Sequence, residues 1–152
     1  MLATQNATPQ AAPIGGQVDT RRAIQLHTLG HYSQEQQAAA LLLFTTGQQM
    51  LDTGGGGTCG RLLLGIYNGA RFPFDLTDLR RLDDARHAAA MTVLHMDSRR
   101  TYVEIHTLLD AILAAPSDKS TGATLELWAN RLGLKAGRCS KDDIRDLKAR
   151  AV

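Results

Sequence analysis

The spacing of apolar residues is the feature of this sequence that most restricts its fold. From residue 18 nearly to the C-terminus, apolar side chains recur every three or four positions, which places them on one face of a helix. No segment alternates apolar and polar residues as a half-buried strand does. The sequence therefore predicts an all-α fold, a compact bundle of about six helices.

Local composition divides the chain into three parts. Residues 1–17 are rich in Thr, Gln, Pro, Ala and Gly. They are predicted to form a disordered, flexible tail because such a segment cannot bury an apolar face. Residues 18–116 are predicted to form a helical core domain. Residues 117–152 begin in a loop of Ser, Asp, Lys, Thr and Gly and are predicted to form a C-terminal helical pair docked on that core.

Capping residues predict where several helices begin. Ser33 with Gln36, and Ser140 with Asp143, have the three-residue spacing of a capping box. In such a box the side chain of each partner bonds to the backbone N–H of the other. A helix is therefore expected to begin directly after each of these two serines.

Other predicted boundaries depend on weaker signals. The four glycines at 54–57 are predicted to form a flexible connection, after which Thr58 caps the next helix. That helix is expected to stop at Asn68-Gly69. Asp75 is predicted to cap one long helix that continues to Met96, with Leu76 facing inward. The following helix is predicted to be capped by one of two residues, Asp97 or Ser98.

The apolar stripes also predict a core. The longest apolar run, residues 38–44, is apolar on all sides of its helix, so this helix is expected to be central. Six large side chains are predicted to be largely buried: Leu43, Phe44, Leu63, Leu82, Ile105 and Trp128.

Composition narrows the classes of function. A net charge of +2 creates no strong field for nucleic acid or membrane. No apolar run approaches the roughly 20 residues that cross a bilayer, so no membrane partner is expected. Two distant cysteines, Cys59 and Cys139, without a secretory signal predict free thiols and a cytoplasmic location. Nothing in the composition indicates an oligomeric state.

The sequence contains no evident constellation of catalytic residues. The glycine run resembles a phosphate-binding loop only superficially, because a helix precedes it and no Gly-Lys-Ser/Thr ending follows. His27 with His31, and Asp83 with His87, are one helical turn apart, but neither pair has an evident third ligand. We therefore predict no catalytic residue, no cofactor and no metal site, and expect a non-enzymatic protein.

Basic residues are concentrated at the C-terminal end. From Lys119 onward, eight basic residues stand against four acidic ones. The segment from Ala129 to Gly133 resembles the first helix and turn of a helix-turn-helix, although the next helix is expected to begin too late for a recognition helix. This pattern makes nucleic acid an alternative partner. The candidate nucleic-acid contacts are Arg138, Lys141 and Arg145.

The segment from Leu51 to about Asp97 contains a series of distinctive short residue strings. It includes Asp52-Thr53-Gly54, Gly60-Arg61-Leu62-Leu63, Tyr67-Asn68-Gly69 and the continuous string from Arg71 to Arg80. The pattern resembles a family of small uncharacterised proteins, a domain of unknown function, encoded on bacterial plasmids and integrative mobile elements. The resemblance implies a mobile genetic element as the setting and no known activity.

Within that pattern, Phe72-Pro73-Phe74 is the most distinctive segment. The two phenylalanines either fill the core or form an exposed apolar knob inside a charged rim, and the core is favoured because large aromatics are usually buried. The candidate protein interface is Arg71, Phe72, Phe74 and Asp78. The leading hypothesis is a protein-interaction module with an unidentified protein partner, as an accessory or inhibitory factor of a mobile element. The alternative is a small DNA-binding or regulatory protein with a degenerate C-terminal helix-turn-helix.

Overall fold

The computed structural model describes residues 15–99 and 101–152, with side chains from residue 20 onward. In that part of the chain the regular structure is helical, apart from one isolated β-bridge between Ser120 and Ala151. The prediction of an all-α fold is confirmed. The helices are α1 (Gly15–Gly30), α2 (Gln34–Met50), α3 (Gly54–Tyr67), a 3₁₀ helix (Leu76–Arg81), α4 (Asp84–Arg99), α5 (Ile105–Ile112), α6 (Thr121–Arg131), a second 3₁₀ helix (Lys135–Gly137) and α7 (Lys141–Arg150).

Helix α2 is the centre of the bundle. The predicted capping box begins it, because the Gln36 N–H donates to Ser33 Oγ at 3.1 Å and the Ser33 N–H donates to Gln36 Oε1 at 2.9 Å. The helix packs against α3, α4 and α5. Leu43 and Phe44 are accordingly buried, as expected for a helix that is apolar on several sides.

The core extends from α2 into α6. The Trp128 indole stacks on Phe44 with ring centroids 5.2 Å apart, and both residues are buried. Gly47 permits this contact, since a Cβ there would lie 2.7 Å from the indole. Of the six residues predicted to be buried, only Leu82 is merely half-buried. Helix α6 thus shares one core with α2 to α5, whereas α7 packs on α6 and contributes no buried residue.

The glycine run is part of a helix, so its prediction as a flexible connection is wrong. Helix α3 begins at Gly54, and Thr53 rather than Thr58 is its N-cap, with Thr53 Oγ1 accepting from the Gly56 N–H at 3.0 Å. A Cβ at Gly56 would lie 1.8 Å from the carbonyl oxygen of Met50. Because Gly56 has no Cβ, the start of α3 can lie so close to the end of α2 that their backbones are in contact.

The long helix predicted between Asp75 and Met96 is two helices. Asp75 caps only the 3₁₀ helix, and Leu82 is extended, with φ −86° and ψ 144°. Asp83 then accepts from the Arg86 N–H at 2.9 Å at the start of α4. The apolar spacing continues across this break, which is why periodicity alone missed it.

The next predicted boundary is also wrong. Asp97 and Ser98 lie inside α4, which ends at Arg99. Helix α5 begins at Ile105 after Glu104, whose side chain makes no capping hydrogen bond. A helix start without a side-chain cap leaves no signal in the sequence.

The predicted tail lies mostly outside the described residues, and α1 already includes Gly15 to Gln17. Within the described ranges, no helix has both the length and the apolar character needed to cross a bilayer.

Candidate interaction surface

A tight turn after α3 positions the Phe-Pro-Phe segment. Helix α3 ends at Tyr67 with Asn68 as its C-cap, which confirms the predicted stop. The Asn68 carbonyl accepts from the N–H groups of Arg71 and Phe72 at 3.1 and 2.9 Å. Its side-chain oxygen also accepts from the Arg71 N–H. These bonds reverse the chain, and Phe74 then lies against α3 at Gly65.

Arg71 links this turn to the C-terminal part of the fold. Its guanidinium donates to both carboxylate oxygens of Glu126 on α6, at 2.5 and 3.0 Å, and to the Ala136 carbonyl at 2.8 Å. It also lies 4.6 Å from the centre of the Phe72 ring. A paired arginine of this kind holds two segments in a fixed relation. Arg71 is thus engaged within the molecule, although its side chain is 40% exposed.

Tyr67 completes this polar cluster. Burial, followed by the negative charge of Glu126 and a hydrogen bond to it, raises the pKa of the Tyr67 phenol. The Tyr67 ring also contacts the edge of His106 at a centroid distance of 5.3 Å. Within the described residues, the buried Nδ1 of His106 has no hydrogen-bond partner. The contact that His106 makes with Tyr67 is thus one of packing between the two rings.

The two phenylalanines lie in different environments. Phe72 is 3% exposed and belongs to the core, so the favoured interpretation holds for this residue and it cannot form an exposed knob. Phe74 is half-buried, and a Cβ at Gly65 would lie 3.0 Å from the Phe74 Cβ. Pro73 between them is exposed. The candidate interface thus loses Phe72 and keeps the outer side of Phe74.

Leu76 is exposed, so the prediction that it faces the core is wrong. Its exposure is 65%, the largest among the big apolar side chains that the structure describes. The Asp75 carboxylate accepts from the N–H and hydroxyl of Thr77, both at 2.8 Å, and these bonds hold the pKa of Asp75 below its usual value. The resulting 3₁₀ helix leaves Leu76 in solvent.

The 3₁₀ helix that begins at Leu76 also carries charged residues. Asp78 lies 3.6 Å from Arg81 in an ion pair. Arg80 is exposed and forms no salt bridge with any described residue. We call the group Pro73, Phe74, Leu76 and Arg80 the Leu76 surface. It combines exposed apolar side chains with a cation that forms no salt bridge in the described part of the chain, although its charge helps to lower the pKa of Asp75. Apolar and charged groups together are the composition of a small protein-binding patch.

The C-terminal segment is not a helix-turn-helix. Gly133 has φ +68°, and the Leu134 N–H bonds back to the Ala129 carbonyl at 3.0 Å. This is a Schellman ending of α6. Residues 132–140 then separate α6 from α7, a longer connection than the three or four residues of a DNA-binding turn. The second helix is consequently not placed as a recognition helix.

The three candidate nucleic-acid contacts are exposed and differ in their pairing. Arg145 pairs with Asp142 at 3.1 Å, and both side chains are more than 80% exposed. Arg138 and Lys141 form no ion pair with any residue in the described part of the chain. An exposed pair contributes little energy, so all three cations could reach a phosphate.

The residues that the structure describes supply no metal cluster of three or more His, Cys, Asp or Glu. Cys59 is buried, and burial raises its pKa to about 11, while Arg86 acts in the opposite direction. Such a thiol is a poor nucleophile at neutral pH. Asp83, one half of a predicted ligand pair, instead pairs with Arg86 and caps α4.

Comparison with known proteins identifies the family but no activity. Residues 36–117, more than half of the chain, match a family of unknown function (DUF7673). The chain belongs to this family. The match spans α2 to α5 and includes the Leu76 surface. No curated protein and no solved structure matches the chain.

Proposed function

We propose that this chain is a non-enzymatic protein-interaction module that binds its partner through the Leu76 surface. The observation that carries the proposal is the 65% exposure of Leu76, two positions along the chain from the half-buried Phe74. Contact of a large apolar side chain with water is unfavourable, and the free energy falls when a partner buries that side chain. Of the predicted interface residues, Phe74 belongs to the Leu76 surface, whereas Phe72 is buried and Asp78 is paired with Arg81.

The shape of this surface is fixed before binding. The Arg71–Glu126 pair ties the turn to α6, and the Asp75 cap holds the start of the 3₁₀ helix. Because these residues are already ordered, binding of a partner carries only a small entropic cost for ordering them. Arg71 thus supports the interface from within the fold.

The exposed charge indicates the chemistry of the partner. Arg80 lacks a salt-bridge partner among the described residues, whereas Asp78 is paired with Arg81. The complementary partner is a protein segment that presents an apolar side chain next to a carboxylate. The mobile-element setting implied by the sequence resemblance suggests an accessory or inhibitory factor acting on a host or element-encoded protein.

A quantitative affinity purification tests this proposal. Leu76→Ser removes the exposed apolar group, and Ile24→Ser is the matched control because Ile24 on α1 is 62% exposed. We expect a protein enriched by the wild type to be lost with Leu76→Ser and retained with Ile24→Ser, at unchanged melting temperatures. Equal recovery with both variants would contradict the proposal.

Nucleic-acid contact is the second candidate function. It is favoured by the exposed Arg138 and Lys141, which lack salt bridges in the described part of the chain. Neutralising these two residues and Arg145 removes up to three phosphate contacts. The slope of log affinity against log salt should then shrink by up to about 2.7. Absence of DNA binding at low salt, or an unchanged slope, would exclude this end of the chain as the site.

A further inference from the structure

The end of α1 brings two imidazoles together. Their Nε2 atoms, on His27 and His31, are 3.3 Å apart, and both residues are exposed. His31 lies just beyond the end of α1 at Gly30. The turn nevertheless continues the helical path, since the His31 N–H donates to the Thr28 carbonyl at 3.2 Å and the Tyr32 N–H donates to the Leu29 carbonyl at 3.1 Å. The one-turn spacing of the two rings is thereby preserved.

Aromatic neighbours hold the second imidazole in place. The Tyr102 ring stacks on His31 with centroids 4.4 Å apart and an interplanar angle of 16°. Tyr102 in turn meets the edge of Tyr32, which is buried and whose hydroxyl accepts from the Val103 N–H at 3.2 Å. The ring of His31 is therefore oriented by a buried anchor, although it lies at the surface. A ligand oriented in this way loses little freedom when it binds a metal.

We propose that His27 and His31 form a two-histidine site for a divalent transition metal such as Zn²⁺. An ion about 2.05 Å from each Nε2 would span the 3.3 Å separation with an N–Zn–N angle of about 107°, close to tetrahedral. In the metal-free pair, one Nε2–H donates to the other Nε2. When both Nε2 atoms bind the ion, the donating ring carries its proton on Nδ1 instead, and the proton count is unchanged.

The remaining coordination positions belong to water. No third His, Cys, Asp or Glu converges on the pair within the described ranges. His95 and Arg99 line the same cleft as His31, and the positive charge of Arg99 opposes a cation there. The site therefore binds the ion with modest affinity, and the bound ion connects the last turn of α1 to the turn that follows it.

Titration of the full chain with Zn²⁺ tests the site, using calorimetry and long-range ¹H–¹⁵N spectra of the histidine side chains. We expect one saturable site, with shifts at the Nε2 atoms of His27 and His31. His27→Gln and His31→Gln should each weaken binding by about tenfold or more, because loss of an outer-shell partner alone costs 10- to 100-fold.

Two variants serve as controls for the titration. His87→Gln removes an exposed histidine of α4, and Cys139→Ser removes the more accessible thiol; both should bind Zn²⁺ like the wild type. A lack of saturable binding would show that the two rings are a hydrogen-bonded pair only. Binding that survives His27→Gln, or that is lost with Cys139→Ser, would also overturn the proposal.

Discussion

Replacing Gly56 with alanine tests the unexpected role of the glycine run. A Cβ at this position would lie 1.8 Å from the Met50 carbonyl oxygen and 2.3 Å from its carbon. Both atoms belong to the backbone, so no side-chain rotamer can relieve the contact. The ends of α2 and α3 would have to separate by roughly 1.2 Å to reach the shortest tolerable distance, in a closely packed interior.

The expected cost follows from this geometry. Overpacking in a core usually costs about 1–3 kcal/mol, and more when the obstacle cannot move. We therefore expect Gly56→Ala to lower the free energy of unfolding by about 3–5 kcal/mol. Gly54→Ala is the matched control, because a Cβ there meets nothing within 4 Å. Alanine is favoured over glycine in a helix, so this control should be neutral or stabilising by up to about 1 kcal/mol.

Urea unfolding followed by circular dichroism measures both variants. The midpoint should fall for Gly56→Ala and stay or rise for Gly54→Ala, with the slope of free energy against urea unchanged. If Gly56→Ala cost less than about 0.5 kcal/mol, a value typical of surface positions, the close approach of α2 and α3 would be refuted.

Three further perturbations address the core, a thiol and a cap. Leu43→Ala should lower the free energy of unfolding by about 2–5 kcal/mol, and a surface-like value in urea unfolding would show that α2 is not central. In the native protein a thiol reagent should modify Cys139 well before the buried Cys59, because folding favours the neutral thiol of Cys59. The contribution of this neutral thiol to the free energy of unfolding is present below the unfolded pKa of about 9.0 and is lost as the pH rises through about 11. Equal labelling rates would contradict the burial of Cys59. Ser140→Ala removes the acceptor for the Asp143 N–H at 3.1 Å and should destabilise α7 by about 1 kcal/mol, seen as faster amide exchange there but not in α2.

Local signals in the sequence were sufficient where a side chain bonds to nearby backbone. Both capping boxes form as predicted, because Ser33 and Ser140 find their partners three residues away whatever the rest of the fold does. The helix stop at Asn68 is of the same local kind. The all-α class and a central α2 follow from apolar periodicity, which reports burial directly.

Features that depend on distant contacts could not be predicted. The role of Gly56 is set by the backbone of Met50, and that of Gly47 by the Trp128 ring. Leu76 is exposed on a 3₁₀ helix, which apolar spacing does not distinguish from the start of a long α-helix. The candidate sites also depend on contacts between residues that are distant in the sequence.

At the candidate interface, the composition of residues 71–78 does not show which side chains face solvent. Phe72 is internal and Arg71 bonds to Glu126, across 55 positions of sequence. The sequence places His27 and His31 four positions apart but does not show whether the turn after α1 keeps the two rings together. The turn after α1 keeps the helical spacing of the two rings through backbone hydrogen bonds, which local sequence signals do not mark.

Site-specific photocrosslinking from position 76 in the native cells tests the central proposal most directly. A photoreactive residue replacing Leu76 should give one discrete adduct with another protein, and the same residue replacing Ile24, which is almost equally exposed, should not. The adduct should disappear when Arg80 is also changed to Glu, because that charge would repel the proposed carboxylate. No adduct from position 76, or the same adduct from both positions, would contradict the account.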